Sequence, residues 1–440
     1  MNARSYFIFL ATISYIALCQ AFNIGDIPHP RIAFKGYIVT DMWWDTRQVI
    51  GSREDHALFY PDRKLFDVDG QDINDKAKFH IVPFQTRLRA ELTGVNALDA
   101  DITGIIEGDF RGRDDFTVNL FWMRHAYVYF EWARTYLQIG YTWHPMFVVE
   151  CFPETVMFGS GFPFESFARN PQIRVRHSFD YFDILYQIGS QIEFNNNGEF
   201  GFSSIYSRNS AIPENHLQIQ VPWREHLFGA GIDFKVIRPR LHTAIFDSEG
   251  RPLYAEDATL GSFAGMAFAR FNLEHVYVKM KMIVGQNVSE LTMIGGYGVH
   301  CVDPVTDRRT YTNVNTFSTW LDLEGKPWDS RHIPGTVAVG LFAGYTKNLG
   351  ASEKLADLSE FAPELDITSF NQILFSRGAD INDSFRISPR ILIDIYPMRF
   401  AFEFVLDRTT YGTPNQCARV PNACPVWNVR LLFKSFYFYA

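Results

Sequence analysis

The sequence lacks a second long hydrophobic run, an excess of basic residues and the common enzyme motifs. After residue 21 no stretch approaches the roughly 18 consecutive apolar residues of a spanning helix, so only strands could cross a membrane. The 41 Lys+Arg against 49 Asp+Glu argue against a nucleic-acid partner. Gly-x-Ser-x-Gly, His-Glu-x-x-His, phosphate-loop and Cys-x-x-Cys patterns are missing, which weakens the case for an enzyme.

Aromatic residues are abundant instead. They make up 16% of the chain, yet the mean hydropathy is only −0.10. This aromatic content, with a charged fraction of 20%, excludes a disordered chain. The composition is typical of an outer-membrane barrel, in which lipid-facing and water-facing residues alternate and average out.

The first 21 residues have the pattern of a secretory signal peptide. Arg4 precedes about a dozen apolar residues, and the run closes on Cys19, Gln20 and Ala21, which fits a cleavage site. The alternative is an anchor helix, for which the run is short. We therefore predict a signal peptide at 1–21 and a single barrel domain at 22–440.

Apolar and polar residues alternate with a period of two along most of the chain. Between 228 and 236, Phe228, Ile232 and Phe234 lie on one face, with Asp233 and Lys235 on the other. This pattern predicts strands with one apolar and one polar face. The predicted strands are 31–46, 78–94, 101–112, 120–131, 135–143, 171–179, 182–194, 214–222, 227–238, 259–271, 275–287, 313–323, 335–347, 380–395, 399–410 and 426–439.

The lengths of the links distinguish a membrane barrel from a soluble sandwich. Links after even-numbered strands are mostly short, and links after odd-numbered strands are mostly long, as in 47–77 and 348–379. Short periplasmic turns that alternate with long extracellular loops are typical of outer-membrane barrels. We predict an all-β fold, a closed antiparallel transmembrane β-barrel of about 16 strands with both termini on the periplasmic side.

Several short segments also resemble a known group of proteins. They include Trp44-Asp45-Thr46-Arg47, Glu107-Gly108-Asp109-Phe110, Arg124-His125-Ala126-Tyr127, Trp143-His144-Pro145-Met146 and Ser388-Pro389-Arg390. Together these segments resemble a porin-like outer-membrane family common in Bacteroidota, over nearly the whole mature chain. Residues 101–180 are also similar to trimeric substrate-selective porins of the dicarboxylate and phosphate types. The terminal Ala440 departs from the final Phe of many proteobacterial barrels.

The resemblance implies a porin, a passive diffusion channel for small hydrophilic solutes in the bacterial outer membrane. Its expected partners are outer-membrane lipid, small-molecule solutes and, by analogy, two further copies in a homotrimer; no cofactor or metal is expected. Arginines in the predicted lumen favour anionic solutes. Two alternatives stay open: an enzyme of lipase or protease type embedded in the barrel, and a closed barrel whose outer loops serve surface binding or adhesion.

In such a barrel the polar face of each strand lines the lumen and becomes the functional surface. Charges at a constriction would orient polar solutes, whereas charges that pair across strands would stabilise the wall, and both readings stay open. The predicted pore-lining residues are Arg87, Arg89, Glu91, Glu107, Asp109, Arg111, Arg124, Arg174, Arg176, Arg386, Arg390, Asp394 and Glu403.

The loop at 144–170 is apolar for an exposed connection. It follows the fifth predicted strand, and so many apolar side chains would not stay in water, which predicts a loop folded into the lumen as a constriction. The alternative is packing against a trimer partner at the rim. The residues assigned to this constriction are His144, Phe147, Phe152, Phe158, Phe164 and Arg169.

The cysteines suggest one covalent link. Cys417 and Cys424 bracket a six-residue segment of the last outer loop and predict a disulfide in an exported protein. Cys151 and Cys301 fall in two loops on the same predicted side, and whether they pair stays open. The aspartates of 67–75 are explained more simply as an acidic loop than as a calcium site, because no Glu supplies the bidentate ligand.

Overall fold

Sixteen antiparallel strands close into one barrel in the computed structural model, which describes residues 30–330, 333–361 and 365–439. The predicted signal peptide therefore lies outside the described residues. The strands are β1 (Arg31–Asp45), β2 (Lys78–Val82 continued by Arg87–Ala97), β3 (Ala100–Asp109), β4 (Trp122–Glu131), β5 (Thr135–Trp143), β6 (Arg169–Ser178), β7 (Asp183–Gly189), β8 (Glu214–Trp223), β9 (His226–Ile237), β10 (Leu260–Asn272), β11 (Val276–Gln286), β12 (Arg309–Gly325), β13 (Thr336–Ala351), β14 (Ile381–Ile395), β15 (Met398–Tyr411) and β16 (Cys424–Tyr439).

The first and last strands close the barrel. β1 pairs antiparallel with β16, from Gly36 opposite Tyr439 to Asp45 opposite Arg430, while its other edge pairs with β2. No strand of this ladder is left at a sheet edge. Closure therefore satisfies the backbone hydrogen bonds that an open edge would expose.

The predicted fold class is confirmed, and each predicted strand has an observed counterpart. The largest differences are at β7, which ends at Gly189 rather than 194, at β12, which begins at Arg309 rather than 313, and at β13, which ends at Ala351 rather than 347. The long links also carry small elements that the sequence did not predict. These are strands Val49–Ser52, Ala57–Pro61, Gly295–Val302, Trp328–Asp329 and Leu374–Arg377, helix α1 (Ile205–Ser210), and single 3₁₀ turns at Ser289–Leu291, Leu358–Glu360 and Phe370–Gln372.

The two faces of the strands are sorted as the alternation predicts. On β9, Ile232 is 50% exposed on the outer surface, whereas Asp233 and Lys235 point inward and are buried. On β15, Phe404 is exposed outward and its neighbour Glu403 is buried inside. The barrel therefore presents an apolar outer belt and a polar interior. Among the described residues, no helix is long and apolar enough to cross a membrane.

Two of the long links fold back into the barrel and fill much of it. The inner loop, residues 144–168, joins β5 to β6, and the hairpin made by Val49–Ser52 and Ala57–Pro61 descends from the link between β1 and β2. Their apolar side chains pack together in one cluster, in which Ala57 of the hairpin contacts phenylalanines of the inner loop. This apolar core lies inside the wall rather than between stacked layers.

An arginine at the centre of the lipid-facing belt should destabilise the barrel. We expect Phe404→Arg, halfway along β15, to lower the free energy of unfolding by about 2–4 kcal/mol, because it moves a charge into hydrocarbon. Leu98→Arg, in an exposed short turn between β2 and β3, should have little effect. Guanidinium unfolding of the protein in lipid vesicles, followed by tryptophan fluorescence, measures both; equal losses would contradict the assignment of the two faces.

Candidate functional site in the barrel lumen

Four arginines share two carboxylates on the wall formed by β2, β3 and β4. Arg124 of β4 bonds both acids of β3, at 3.0 Å to Glu107 and 2.9 Å to Asp109, and Arg111 lies 2.9 Å from Asp109. From β2, Arg87 lies 3.4 Å and Arg89 3.5 Å from Glu107. Four guanidiniums therefore surround the carboxylates of Glu107 and Asp109, which gives a local excess of positive charge at this point of the wall.

Not every predicted lumen charge belongs to that group. Glu91 lies 3.9 Å from Arg89 and 3.2 Å from Lys35. Arg176 on β6 pairs with Asp183 and Glu150. Arg174, two residues earlier, bonds instead to the Gln172 side chain and to the Trp143 carbonyl, so its charge has no acidic partner among the described residues.

On β14 and β15 the predicted pore-lining charges are also paired. Arg386 bonds Asp407, and Arg390 bonds Asp322 of β12 at 2.7 Å. Asp394 pairs with Arg399. Glu403 accepts hydrogen bonds from the Met157 backbone of the inner loop and from Ser388. The structure thus gathers these charges into ion pairs and loop contacts rather than into separate rows of opposite sign.

The inner loop crosses the lumen and is held on the far wall by buried polar contacts. Glu165 of the loop lies 2.5 Å from Lys281 on β11 and accepts the indole N–H of Trp320 on β12. Ser318 donates to the Phe164 carbonyl at 2.8 Å, and Arg386 donates to the Phe162 carbonyl at 2.9 Å. The loop therefore starts at β5 and is fixed to β11, β12 and β14.

Phenylalanines of the inner loop occupy the middle of the barrel. Phe147, Phe158, Phe162 and Phe167 form a buried cluster, and Phe147 stacks on Trp143 with ring centroids 4.2 Å apart. Of the residues assigned to the constriction, Phe164 is fully buried against β12 and β13, and Phe152 packs at the edge of the cluster. Arg169 is the first residue of β6 rather than part of the loop.

Two cavities inside the barrel lie towards the end that carries the short turns. One, of about 490 Å³, is lined by Arg89, Tyr127, Tyr136 and Arg174 among others. The other, of about 460 Å³, is lined by Arg87, Arg124, Phe152 and Lys434 among others. Trp143 at the end of β5 and Phe147 of the inner loop line both cavities. These two residues therefore mark the boundary beyond which the lumen narrows.

Sequence reasoning missed a carboxylate at that boundary. Glu193 lies 2.8 Å from Arg53, which follows the first strand of the hairpin, and 3.2 Å from Arg169; Tyr141 of β5 donates to it at 2.8 Å. Burial alone would raise the pKa of the Glu193 carboxyl, but Arg169 and Arg53 lower it to about 2. Its ionised form is therefore favoured by folding above its ordinary value of 4.5, and that contribution is lost as the pH falls towards 2.

No sequence signal singled out Glu193. It falls at the end of the predicted strand 182–194, but β7 ends at Gly189 and the following residues turn into the lumen. Arg53 likewise lies in a link whose path depends on the fold of the whole barrel. Only Arg169, of the three charged groups, was expected near the constriction.

A buried His and two acids meet at the base of the inner loop. His144 Nε2 lies 3.2 Å from Glu214 of β8 and 3.5 Å from Asp233 of β9, a spacing that could hold a metal ion. However, the backbone N–H of Met146 donates to His144 Nδ1, so in the neutral ring the proton sits on Nε2. In that tautomer Nε2 has no free lone pair for a metal. The three residues are better explained as a polar contact that holds the inner loop against β8 and β9.

The predicted disulfide is not formed. The four described cysteines are free thiols, including Cys417 and Cys424 and also Cys151 and Cys301, whose pairing had stayed open. Cys424 begins β16 opposite Tyr411. Cys417 lies in the preceding loop, where its carbonyl accepts the N–H of Ala351. Burial against β10 and β11 raises the pKa of the Cys151 thiol to about 12.

The fold is shared with solved outer-membrane proteins. The outer membrane channel DcaP of Acinetobacter baumannii is similar with a TM-score of 0.63 at 12% identity, covering 93% of this chain and 97% of that one. OmpT of Vibrio cholerae, in its trimer form, gives 0.53 at 10%, covering 94% and 100%. The anion-selective porin from Comamonas acidovorans gives 0.51 at 8%, covering 93% and 100%. No family model and no curated protein sequence matches the chain.

Removal of the lysine that anchors the inner loop should destabilise the protein. We expect Lys281→Met to cost about 3–5 kcal/mol, because Glu165 would be left buried without a counter-charge. The double variant Lys281→Met with Glu165→Gln should recover much of that loss. Guanidinium unfolding in vesicles measures the cost, and limited proteolysis reports release of residues 144–168. If the double variant were as unstable as the single one, the anchor would not depend on this charge pair.

Proposed function

We propose that the chain is a bacterial outer-membrane porin that passes small hydrophilic solutes by diffusion. The observation that carries this proposal is a closed barrel with an apolar outer belt and a charged lumen crossed by one of its own loops. An apolar exterior suits lipid, while a charged interior suits water and polar solutes. The likeness to solved outer-membrane channels supports the same function, although at 8–12% identity it shows the fold alone.

We further propose that the channel prefers anions. Four guanidiniums lie against the two carboxylates of Glu107 and Asp109, and Arg174 adds a charge without an acidic partner among the described residues. An excess of fixed positive charge beside a narrow passage raises the local concentration of anions. The name of the Comamonas acidovorans porin shows that anion selectivity occurs on this fold. A dicarboxylate or phosphate solute, and a Bacteroidota source, are finer proposals that rest on the sequence resemblance.

Neutralising two lumen arginines should shift the selectivity towards cations. We expect the double variant Arg87→Ala with Arg89→Ala to move the reversal potential in the cation direction, measured in a planar bilayer under a salt gradient. The matched control is Arg63→Ala with Arg251→Ala, since both of these arginines are about two-thirds exposed in outer loops. An unchanged reversal potential in the lumen variant would refute the anion preference. Folded wild-type protein without any conductance would refute the porin and favour an enzyme or a surface-binding barrel.

We also propose that the porin is a homotrimer. Phe116, at the tip of the loop between β3 and β4, is 98% exposed, and the nearby Phe121 is also exposed. An apolar loop tip of this kind is better explained if a neighbouring copy covers it. The trimer form of the Vibrio cholerae protein supports three copies on this fold.

The trimer predicts a specific effect of the loop tip. We expect three chains per particle by light scattering in mild detergent, and we expect Phe116→Ser to shift the population towards monomers. Val305→Ser, also an apolar-to-polar change, at a 74% exposed residue of another outer loop, should leave the mass unchanged. A monomeric wild-type protein, or a trimer insensitive to Phe116→Ser, would contradict this arrangement.

A further inference from the structure

The surroundings of Glu193 have the composition of an anion-binding site. The guanidiniums of Arg53 and Arg169 and the hydroxyl of Tyr141 converge on its carboxylate, and Arg111 adds a further positive potential. These groups come from four separate parts of the chain: the link after β1, the link after β3, the end of β5 and the start of β6. Charge-assisted hydrogen bonds of this kind are the usual means of holding a carboxylate.

Glu193 leaves the site incompletely used. Arg169 is fully buried, yet its Nε and Nη1 groups have no hydrogen-bond partner among the described residues, because the tethered carboxylate reaches only Nη2. Unpartnered buried N–H groups are costly and indicate that a ligand with more acceptors would bind better. An untethered carboxylate could turn to meet two donors of the guanidinium, whereas Glu193 meets only one.

The position of Arg169 connects this site to the two cavities. Its guanidinium lies 5.2 Å from the ring centroid of Trp143 and 5.3 Å from that of Phe194, so two aromatic rings contact this side chain. Trp143 lines both cavities, and the guanidinium of Arg124 also lies 5.8 Å from its ring centroid. Trp143 therefore contacts Arg169 and also lines both cavities, which places the site beside the point where the lumen narrows.

We propose that Arg169, Arg53 and Tyr141 form a carboxylate-binding site on the solute path, which Glu193 occupies until the carboxylate of a solute displaces it. The inference rests on the proposed anion channel and adds the residues that recognise the carboxylate of a solute and the group that competes with it. Glu193 acts as a tethered competitor: it keeps the arginines paired and the passage filled when no solute is present. A solute carboxylate takes its hydrogen bonds, and Glu193 swings out on the loop between β7 and β8.

The test measures acetate binding to the refolded full-length mature protein in detergent by calorimetry. Removal of the competing Glu193 carboxylate should strengthen acetate binding. We therefore expect Glu193→Gln to bind acetate about tenfold more tightly than wild type. Neutral acetamide should not bind to either protein. Adding Arg169→Gln to this variant should abolish the gain. Glu199→Gln is the matched control, because Glu199 lies on the same loop and also pairs with arginines, Arg309 and Arg240. It should bind acetate as wild type does.

Two further measurements keep the proposal decidable. Glu193→Asp retains the charge but shortens its reach, so it should also bind acetate more tightly, and it replaces Glu193→Gln if that variant does not fold. Acetate affinity unchanged in the Glu193 variants, or raised equally by Glu199→Gln, would overturn the site. Bilayer recordings separate this result from the proposed function: anion-selective conductance with unchanged acetate binding refutes the site alone, and tighter acetate binding without conductance refutes the channel alone.

Discussion

Closure of the strand ladder is the constraint on which the rest of this structure depends. A barrel in lipid cannot leave backbone N–H and C=O groups unpaired, and the pairing of β1 with β16 removes the last two edges. Once the ladder is closed, each strand has one face in lipid and one in the lumen. Large apolar side chains such as Phe404 must then lie outside, and charged ones such as Glu403 must lie inside.

That separation concentrates charged side chains in a small interior, where most of them form ion pairs or hydrogen bonds. A buried arginine or carboxylate is tolerated only when it is paired and hydrogen-bonded. Arg390 with Asp322 and Lys281 with Glu165 meet this requirement within the wall or between wall and loop. Around Glu107 and Asp109 of β3 the guanidiniums outnumber the acids, and this local excess, opposite in sign to the negative charge of the whole chain, underlies the proposed preference for anions.

The inner loop and the Glu193 loop meet the same requirement in different ways. Phenylalanines of the inner loop avoid water by packing in the middle of the barrel, and the loop backbone is secured by Ser318 and Arg386. Glu193 instead supplies a carboxylate where two arginines would otherwise lie unpaired. The contact of the inner loop is extensive and apolar, which suits a fixed element. The contact of Glu193 is a single charged group on a loop, which suits an element that exchanges with solute.

The sequence by itself determined the strands, their faces and the alternation of short and long links, because lipid on one side and water on the other impose a period of two on every spanning segment. It also indicated that the loop at 144–170 folds inward, because so many apolar side chains would not stay in water. Only the tertiary structure decided which charges meet. Arg53 and Glu193 lie 140 residues apart, and Cys417 and Cys424 lie close in sequence yet remain unbonded. Such contacts depend on the stagger of the closed ladder and on the paths of the loops, which local patterns do not encode.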